Sequence, residues 1–465
     1  MSVLRLALCA LAAVAAGAER TVEVAYDEAR PGARLPADFA GISYEKNALV
    51  EPHFRPGNAA LVQLHRNLGP GTLRLGGNKV ELTRWQADAA AALDKSTGRA
   101  VIGRATLDDL YGFLRATGWR CLHGVNLADG RPDEAAAEAA YARQVGGDAV
   151  LAFEVGNEPN LYAGHDLRPK EYDCAKYVPE AKAAIRVLRA KVPGVPLAGP
   201  ATARRTDRWF EDAVAGLRGE LEVATSHTYA LSGGSTNPKS ANFPSIPNLL
   251  SPATLAKDLA MVDEHLAAAR KAGMRYRLAE GNTVSNGGRA GVSDAFAAAL
   301  WAADFLFAVA EHGADGVNFH CNLKAASYSP IVWKKEDGAY LAQPIYYGML
   351  AFRAAGQGRI LPVKTGEGAV AAHAALGDDG KVRLLLTNKD LAAPATVRLP
   401  AARSRGFAQR LLAPSADAKQ GVRFAGAAVG ADGKWTPAAG EPLTTSGGGP
   451  TIVLPPASAA VVTLD

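Results

Sequence analysis

Eight short runs rich in β-forming residues recur between residues 39 and 320, and a segment with apolar residues spaced by three and four follows each. The runs are 39–44, 72–75, 120–125, 149–155, 195–199, 222–227, 276–279 and 316–320. The helical segments are 56–68, 107–117, 132–145, 179–192, 207–217, 251–272, 293–312 and 343–355. The third opens on Pro132-Asp133-Glu134, a proline at the first helical position with acids in the first turn. Strict β–α alternation calls for parallel strands, because parallel neighbours need a crossover rather than a hairpin. Eight such units over about 320 residues predict a closed (β/α)8 barrel, a TIM barrel, spanning 37–356. An open doubly wound sheet is the competing architecture, but no Gly-x-Gly-x-x-Gly follows the early strands.

After Gly356 the texture changes. Runs at 371–376, 382–388, 396–399, 409–412, 422–424 and 458–464 alternate in period two. Turns such as Gly377-Asp378-Asp379-Gly380 and Ala431-Asp432-Gly433 separate them, so 357–465 reads as an all-β sandwich. The alternating run 21–25 lies outside the barrel count, and 19–36 is expected to give the sandwich one more strand. Residues 3–16 are almost wholly apolar, with Arg5 the only charge, and Ala16-Gly17-Ala18 forms an A-x-A site. About 14 apolar residues are too few to cross ~30 Å of hydrocarbon, so 1–18 reads as a signal peptide and predicts export to the periplasm or beyond. No later run of 18 apolar residues predicts a membrane span. Cys121, Cys174 and Cys321 remain in the mature chain; three free thiols and one disulfide plus a thiol are both open. A net charge of +5 over 465 residues is too dilute for nucleic acid and compatible with an acidic substrate.

On a barrel of this kind, reactive groups project from the C-terminal ends of strands. The fourth run ends in Asn157-Glu158-Pro159-Asn160 and the seventh in Glu280-Gly281-Asn282. A carboxylate closing an apolar strand is costly unless it is used or paired. Two of them, three strands apart around a ring, face each other across the barrel mouth, the arrangement that glycosidic cleavage with retention needs. Glu158 is then the acid, its pKa expected to be raised by the Glu280 charge and desolvation, and Glu280 the ionised nucleophile. Asn157 stands beside the acid, placed to donate to a sugar hydroxyl. The alternative is a salt-bridged rim acid in an ordinary Asn-Glu-Pro turn. Tyr44-Glu45, Arg74-Leu75-Gly76-Gly77-Asn78 and His227-Thr228-Tyr229 close other strands, making Glu45, Asn78, His227 and Tyr229 candidates for sugar contacts. His227 reads equally as a core histidine. No His-x-His closes the first strand and His320-x-Asn322 is not a zinc signature, so no metal or cofactor is expected. The Gly/Ser/Asn/Pro-rich stretch 232–248 is either a substrate-covering loop or a floppy insertion.

These motifs resemble the large clan of retaining glycosidases on (β/α)8 barrels, and within it glycoside hydrolase family 79, the β-glucuronidases and heparanases. Leu73-Arg74-Leu75-Gly76-Gly77-Asn78-Lys79 is similar to the family's Leu-Arg-x-Gly-Gly-x-Lys segment, and Val155-Gly156-Asn157-Glu158-Pro159-Asn160 to its acid/base motif. Glu280, Gly287-Gly288 and Ser293-Asp294-Ala295-Phe296-Ala297-Ala298 resemble its nucleophile region, and a trailing β-sandwich agrees. The resemblance implies hydrolysis of β-glucuronides in an oligosaccharide, polysaccharide or glycoconjugate. It further implies that the Gly287 N–H and Tyr328 hold the sugar's carboxylate, and that Glu45 meets its outer hydroxyls. Where the family often has a second tyrosine before the glycine loop, this chain has Ser285-Asn286. A retaining glycosidase for a neutral sugar, a xyloside or an arabinoside, is the alternative activity, and a sugar-binding protein without turnover the alternative class.

Overall fold

The computed structural model describes residues 20–204, 207–324, 327–446 and 448–465; the apolar segment read as a signal peptide, 1–18, lies outside the described residues. The β-rich runs form eight parallel strands: β1 (Ala40–Glu45), β2 (Thr72–Gly76), β3 (Arg120–Val125), β4 (Val150–Val155), β5 (Leu197–Thr202), β6 (Val223–Leu231), β7 (Arg275–Val284) and β8 (Val317–Cys321). They pair in chain order, and β8 closes on β1 from Val317↔Ala40 to Cys321↔Tyr44. The barrel is therefore closed, not an open sheet.

Two local expectations shift. The seventh strand does not stop before Glu280: β7 runs on to Val284 because β6 continues beside it, pairing Tyr229↔Asn282 and Leu231↔Val284. A register shift after Ser226 leaves Ala279 unpaired between Leu278 and Glu280, a bulge that re-aims the glutamate. Pro179 does not open a helix. It lies inside Cys174–Lys191, which begins where the Asp173 side chain accepts the Lys176 N–H at 3.0 Å. The loop after β2 also carries a small sheet (Thr83–Trp85, Ala92–Leu93, Ala100–Ile102), and the loop after β8 a hairpin (Ile331–Lys334, Ala339–Ala342).

Two further sheets make up the β domain. One orders Val363–Thr365, Arg20–Tyr26, Ala395–Arg398, Gly449–Leu454 and Thr444–Ser446, so the first described strand lies between strands from the far end of the chain. The other is built around Val370–Leu376, Val382–Asn388, Ser458–Leu464 and Gly406–Leu412. Helix Phe296–His312 is buried on every side from Phe296 to Ala310, because it packs between the barrel and the Val370–Leu376 strand. Its one buried acid, Asp304, meets Lys389 and, at 2.9 Å, His373 Nε2; Nδ1 of that histidine meets Glu311 at 2.8 Å. Burial works against a charge on His373, but Glu311 and Asp304 outweigh it and push the histidine up to about 9. Cys121, Cys174 and Cys321 are all free thiols, which decides against a disulfide among them. Among the described residues, no helix is long and apolar enough to cross a membrane.

Candidate active site

The site is assembled around Arg74. It lies mid-strand in β2 between Leu73 and Leu75, so its guanidinium points into the barrel and is fully buried. Its five N–H donors meet five acceptors. Nε donates to Glu154 Oε2 at 2.6 Å. Nη1 donates to Ser43 Oγ at 3.0 Å and Glu280 Oε2 at 2.8 Å. Nη2 donates to Asn157 Oδ1 at 2.9 Å and His227 Nε2 at 3.1 Å. A guanidinium has no lone pair to accept with, so Nε2 of His227 must accept and its ring proton sits on Nδ1. That nitrogen, 2.8 Å from Glu158 Oε1, donates to the glutamate. Room for the guanidinium comes from Gly76: a Cβ there would stand 2.2 Å from Nη1.

Glu280 sits beyond the β7 bulge. Besides Arg74, it accepts from the Tyr229 hydroxyl at 2.7 Å, and its Oε2 lies 3.5 Å from His320 Nδ1. Burial alone would push its carboxyl up. His320, Arg74 and the Tyr229 hydrogen bond outweigh burial and hold it well below the usual carboxylate range. Glu158 follows β4 in the left-handed region, φ 50° and ψ 51°, uncommon for a residue with a side chain. One carboxyl oxygen of Glu158, one of Glu280 and one ring nitrogen of His227 lie within 4.8 Å of one another. Such a trio has the spacing of a metal site, but Arg74 donates to two of its members and sets a positive charge where a cation would have to sit. The arrangement instead suits a carboxylate pair with unlike environments.

The two glutamates open onto a pocket of about 700 Å³ walled also by Glu45, Asn78, His227, Tyr229, Gly287, His320 and Tyr328. Eight of the nine residues singled out from the sequence thus share one cavity. The ninth, Asn157, is buried behind the wall. Its carbonyl oxygen is taken by Arg74 and its amide donates to Asn78 Oδ1 at 3.2 Å. Glu45 is held by the Lys79 N–H at 2.8 Å. Gly287 is one of three consecutive positive-φ residues with Asn286 and Gly288, and Tyr328 packs beside Tyr229 with ring centroids 6.3 Å apart. Burial raises the Tyr328 hydroxyl far above the ordinary tyrosine range, so it stays neutral. Of the 232–248 stretch only Ser232 and Asn242 reach the pocket, and Lys257 Nζ ties Asn242 Oδ1 at 2.9 Å; the segment forms a side wall.

Sequence reasoning overlooked Arg74 as a site residue, together with Ser43, His320, Arg204 and Lys257. Arg204 and Lys257 line the same pocket, and Arg204 bonds Thr228 Oγ1 at 3.2 Å and Asp258 at 2.6 Å. A larger cavity, about 960 Å³, lies between helices Trp209–Gly216 and Pro252–Ala272. It shares these two cations but contains neither Glu158 nor Glu280, so the chemistry belongs to the smaller one.

No family model matches the chain. It is 25% identical over 378 residues to a β-glucuronidase of Neurospora crassa, an alignment covering 71% of this chain. The chain spans 65% of that curated relative's length. Among solved structures, a 4-O-α-L-rhamnosyl-β-D-glucuronidase from Fusarium oxysporum superposes with a TM-score of 0.82 at 21% identity, covering 96% of this chain and 100% of that one. A family 51 arabinofuranosidase from Xanthomonas axonopodis pv. citri superposes at 0.70 with 17% identity, again over 96% and 100%. This chain shares the barrel-plus-β-domain fold of these glycoside hydrolases.

Proposed function

We propose that the protein is a retaining glycoside hydrolase cleaving β-glucuronides, with Glu280 as nucleophile and Glu158 as acid/base. The observation that carries this reading is the pair of carboxyl groups within 4.8 Å at the barrel mouth, only one of them held by a buried guanidinium and a tyrosine. A retaining pair stands roughly 5–5.5 Å apart. Glu280, kept ionised, attacks the anomeric carbon as the glycosidic C–O bond breaks, and the leaving oxygen takes the proton of Glu158. Because Glu158 Oε1 is occupied by His227, that proton is carried on Oε2. Water then gives a proton to Glu158 and its oxygen displaces Glu280, restoring both groups. The Gly287 N–H and the Tyr328 hydroxyl receive the sugar's carboxylate, and Glu45 and Asn78 meet its hydroxyls. Likeness to the Neurospora β-glucuronidase supports the uronide over a neutral sugar. The arabinofuranosidase-like fold supports the second reading, the same two carboxylates acting on an arabinoside or xyloside.

A panel of aryl β-D-glucuronide, β-D-xyloside and α-L-arabinofuranoside, with product stereochemistry followed by NMR, tests this. Retained glucuronic acid is the expected product. Turnover of only the neutral glycosides transfers the assignment to the second reading, and inverted product removes Glu280 as nucleophile.

A further inference from the structure

Glu81 lies outside the reaction pocket, yet the turn that presents Glu158 is built on it. It follows the short helical turn Asn78–Val80 at the end of β2 and is 1% exposed. Four donors converge on its carboxylate. Oε1 takes the Asn157 N–H at 2.7 Å and the Tyr162 hydroxyl at 2.5 Å. Oε2 takes the Leu127 N–H at 2.9 Å and the Ala128 N–H at 2.8 Å, both from the loop after β3. All four partners are donors, so every lone pair in reach is used and no proton is offered back. One buried side chain from the loop after β2 thereby fastens the loops after β3 and β4 together.

The backbone of the segment so fastened is strained and is caught at three successive amides. Gly156 has φ +77° and Glu158 φ 50°, two left-handed residues around Asn157. Their amides are caught by Val125 O at 3.0 Å and Ala201 O at 2.9 Å, on opposite sides of β4. The Asn157 amide, midway between them, has only Glu81. A side chain at position 156 would stand 2.7 Å from the Tyr162 hydroxyl and 3.2 Å from Glu81 Oε1, so the glycine leaves room for this carboxylate. Glu81 does not touch the pocket; whatever it contributes to the reaction passes through the Asn157 backbone.

We infer that Glu81 is a positioning residue for the acid/base step: it fixes the Gly156–Glu158 turn so that the Glu158 carboxyl meets the leaving oxygen. The inference rests on the glycosidase reading above. A displaced acid penalises leaving groups in proportion to their need for a proton, whereas Glu280 keeps its own bonds to Arg74 and Tyr229. In Glu81→Gln the new NH2 group faces N–H or O–H donors, which drives the turn away.

The test is a series of aryl β-glucuronides from dinitrophenyl to phenyl, compared between the wild-type chain and Glu81→Gln. For the phenyl glycoside kcat/KM is expected to fall roughly 10²-fold, the size of a misplaced catalytic group. The dinitrophenyl glycoside needs almost no general acid and should change by less than about threefold. KM should move less than kcat. Equal loss across the series would mean a merely structural role and overturn the inference, as would an unchanged phenyl rate. If Glu81→Gln does not fold, as read by thermal unfolding, Tyr162→Phe removes one of the four donors and must show the same leaving-group dependence, smaller in size. A flat series there also overturns it. Wild-type protein that cleaves no glycoside at all sinks the proposed function itself, an outcome distinct from a wild type that cleaves the series and a variant that loses it evenly.

Discussion

Two arginines cross the interior of the same barrel, one near each end, and they are held in opposite ways. Arg74 at the mouth gives two of its donors to the carboxylates of Glu154 and Glu280. Burial works against its charge, but these two acids outweigh burial and keep it firmly protonated. Arg277 at the floor meets only neutral oxygens. Nε donates to Asn318 Oδ1 at 2.7 Å and Nη2 to Phe39 O at 3.1 Å, and burial lowers its pKa to about 10. Both lie against a glycine: a Cβ on Gly316 would stand 2.1 Å from Arg277 Nη1, as one on Gly76 would from Arg74 at 2.2 Å. The backbone requirement is thus shared, and the partners differ. The acids of the floor, Asp38 and Asp315, turn outward to the more exposed Arg120 and Arg275. Those of the mouth turn inward. A guanidinium closes the barrel at one end and, at the other, helps keep ionised the carboxylate proposed as the nucleophile, in keeping with the division of (β/α)8 folds into a stabilising and a reactive face.

The largest expected effect is at the mouth. Glu280→Gln should lower kcat on an aryl glycoside by ~10⁴-fold or more, since a missing nucleophile is not replaced by the remaining groups. Near-normal initial rates in that variant would remove the functional difference between the two ends. Next comes the pair Arg74→Lys and Arg277→Lys. A lysine cannot reproduce the five-donor fork. At 74 the change should cost roughly 10²-fold in kcat/KM by loosening Glu280, whereas at 277 the rate should stay within about twofold while the melting temperature falls. Comparable rate losses at both positions would erase the contrast. Tyr229→Phe is a finer probe. Removing a donor to the charged form raises the pKa of Glu280, so the acid limb of kcat/KM should move to higher pH. The linked stability has the same sign. A carboxylate depressed in the folded state stabilises above its unfolded pKa and loses that contribution as pH falls through the folded value, so the variant should unfold at a less acidic pH. An acid limb that stays in place would detach Glu280 from the profile. The smallest effect belongs to the floor: Asp38→Asn breaks a partly exposed pair with Arg120 and should cost less than about 1 kcal/mol in chemical denaturation, with kcat unchanged.

The barrel was legible because βα alternation is local: each strand and helix announces itself within its own ten or fifteen residues. The carboxylate pair was legible for a related reason, since Asn157-Glu158 and Glu280 interrupt apolar runs at positions that the fold turns toward the mouth. Arg74 carries the same signal, a charge between Leu73 and Leu75 echoed by Glu154 between Phe153 and Val155, but sequence shows it only within the segment that closes the second strand and not as one half of a buried pair. The far end of β7 was not legible. Its extra residues are strand only because β6 extends beside them, and nothing within 280–284 announces that neighbour. The same holds for the two- and three-residue strands between Thr83 and Ile102, which are too short to alternate. Pro179 misled because a proline signals a helix start more often than an interior position. Glu81 is the extreme case: its four partners come from two other loops, so only tertiary structure reveals them.

The strand Arg20–Tyr26 runs parallel to Ala395–Arg398, some 375 residues downstream, and antiparallel to Val363–Thr365. On a chain made from its amino end, that strand is synthesised before anything it can pair with, and it must wait for the whole barrel to emerge. The clasp between Arg20–Tyr26 and these two later strands closes late, over a very long loop, and loops of that size slow folding more than they weaken the final state. A change within Arg20–Tyr26 and one within Ala395–Arg398 therefore act on one shared seam, so changes at these distant positions should prove coupled and not independent.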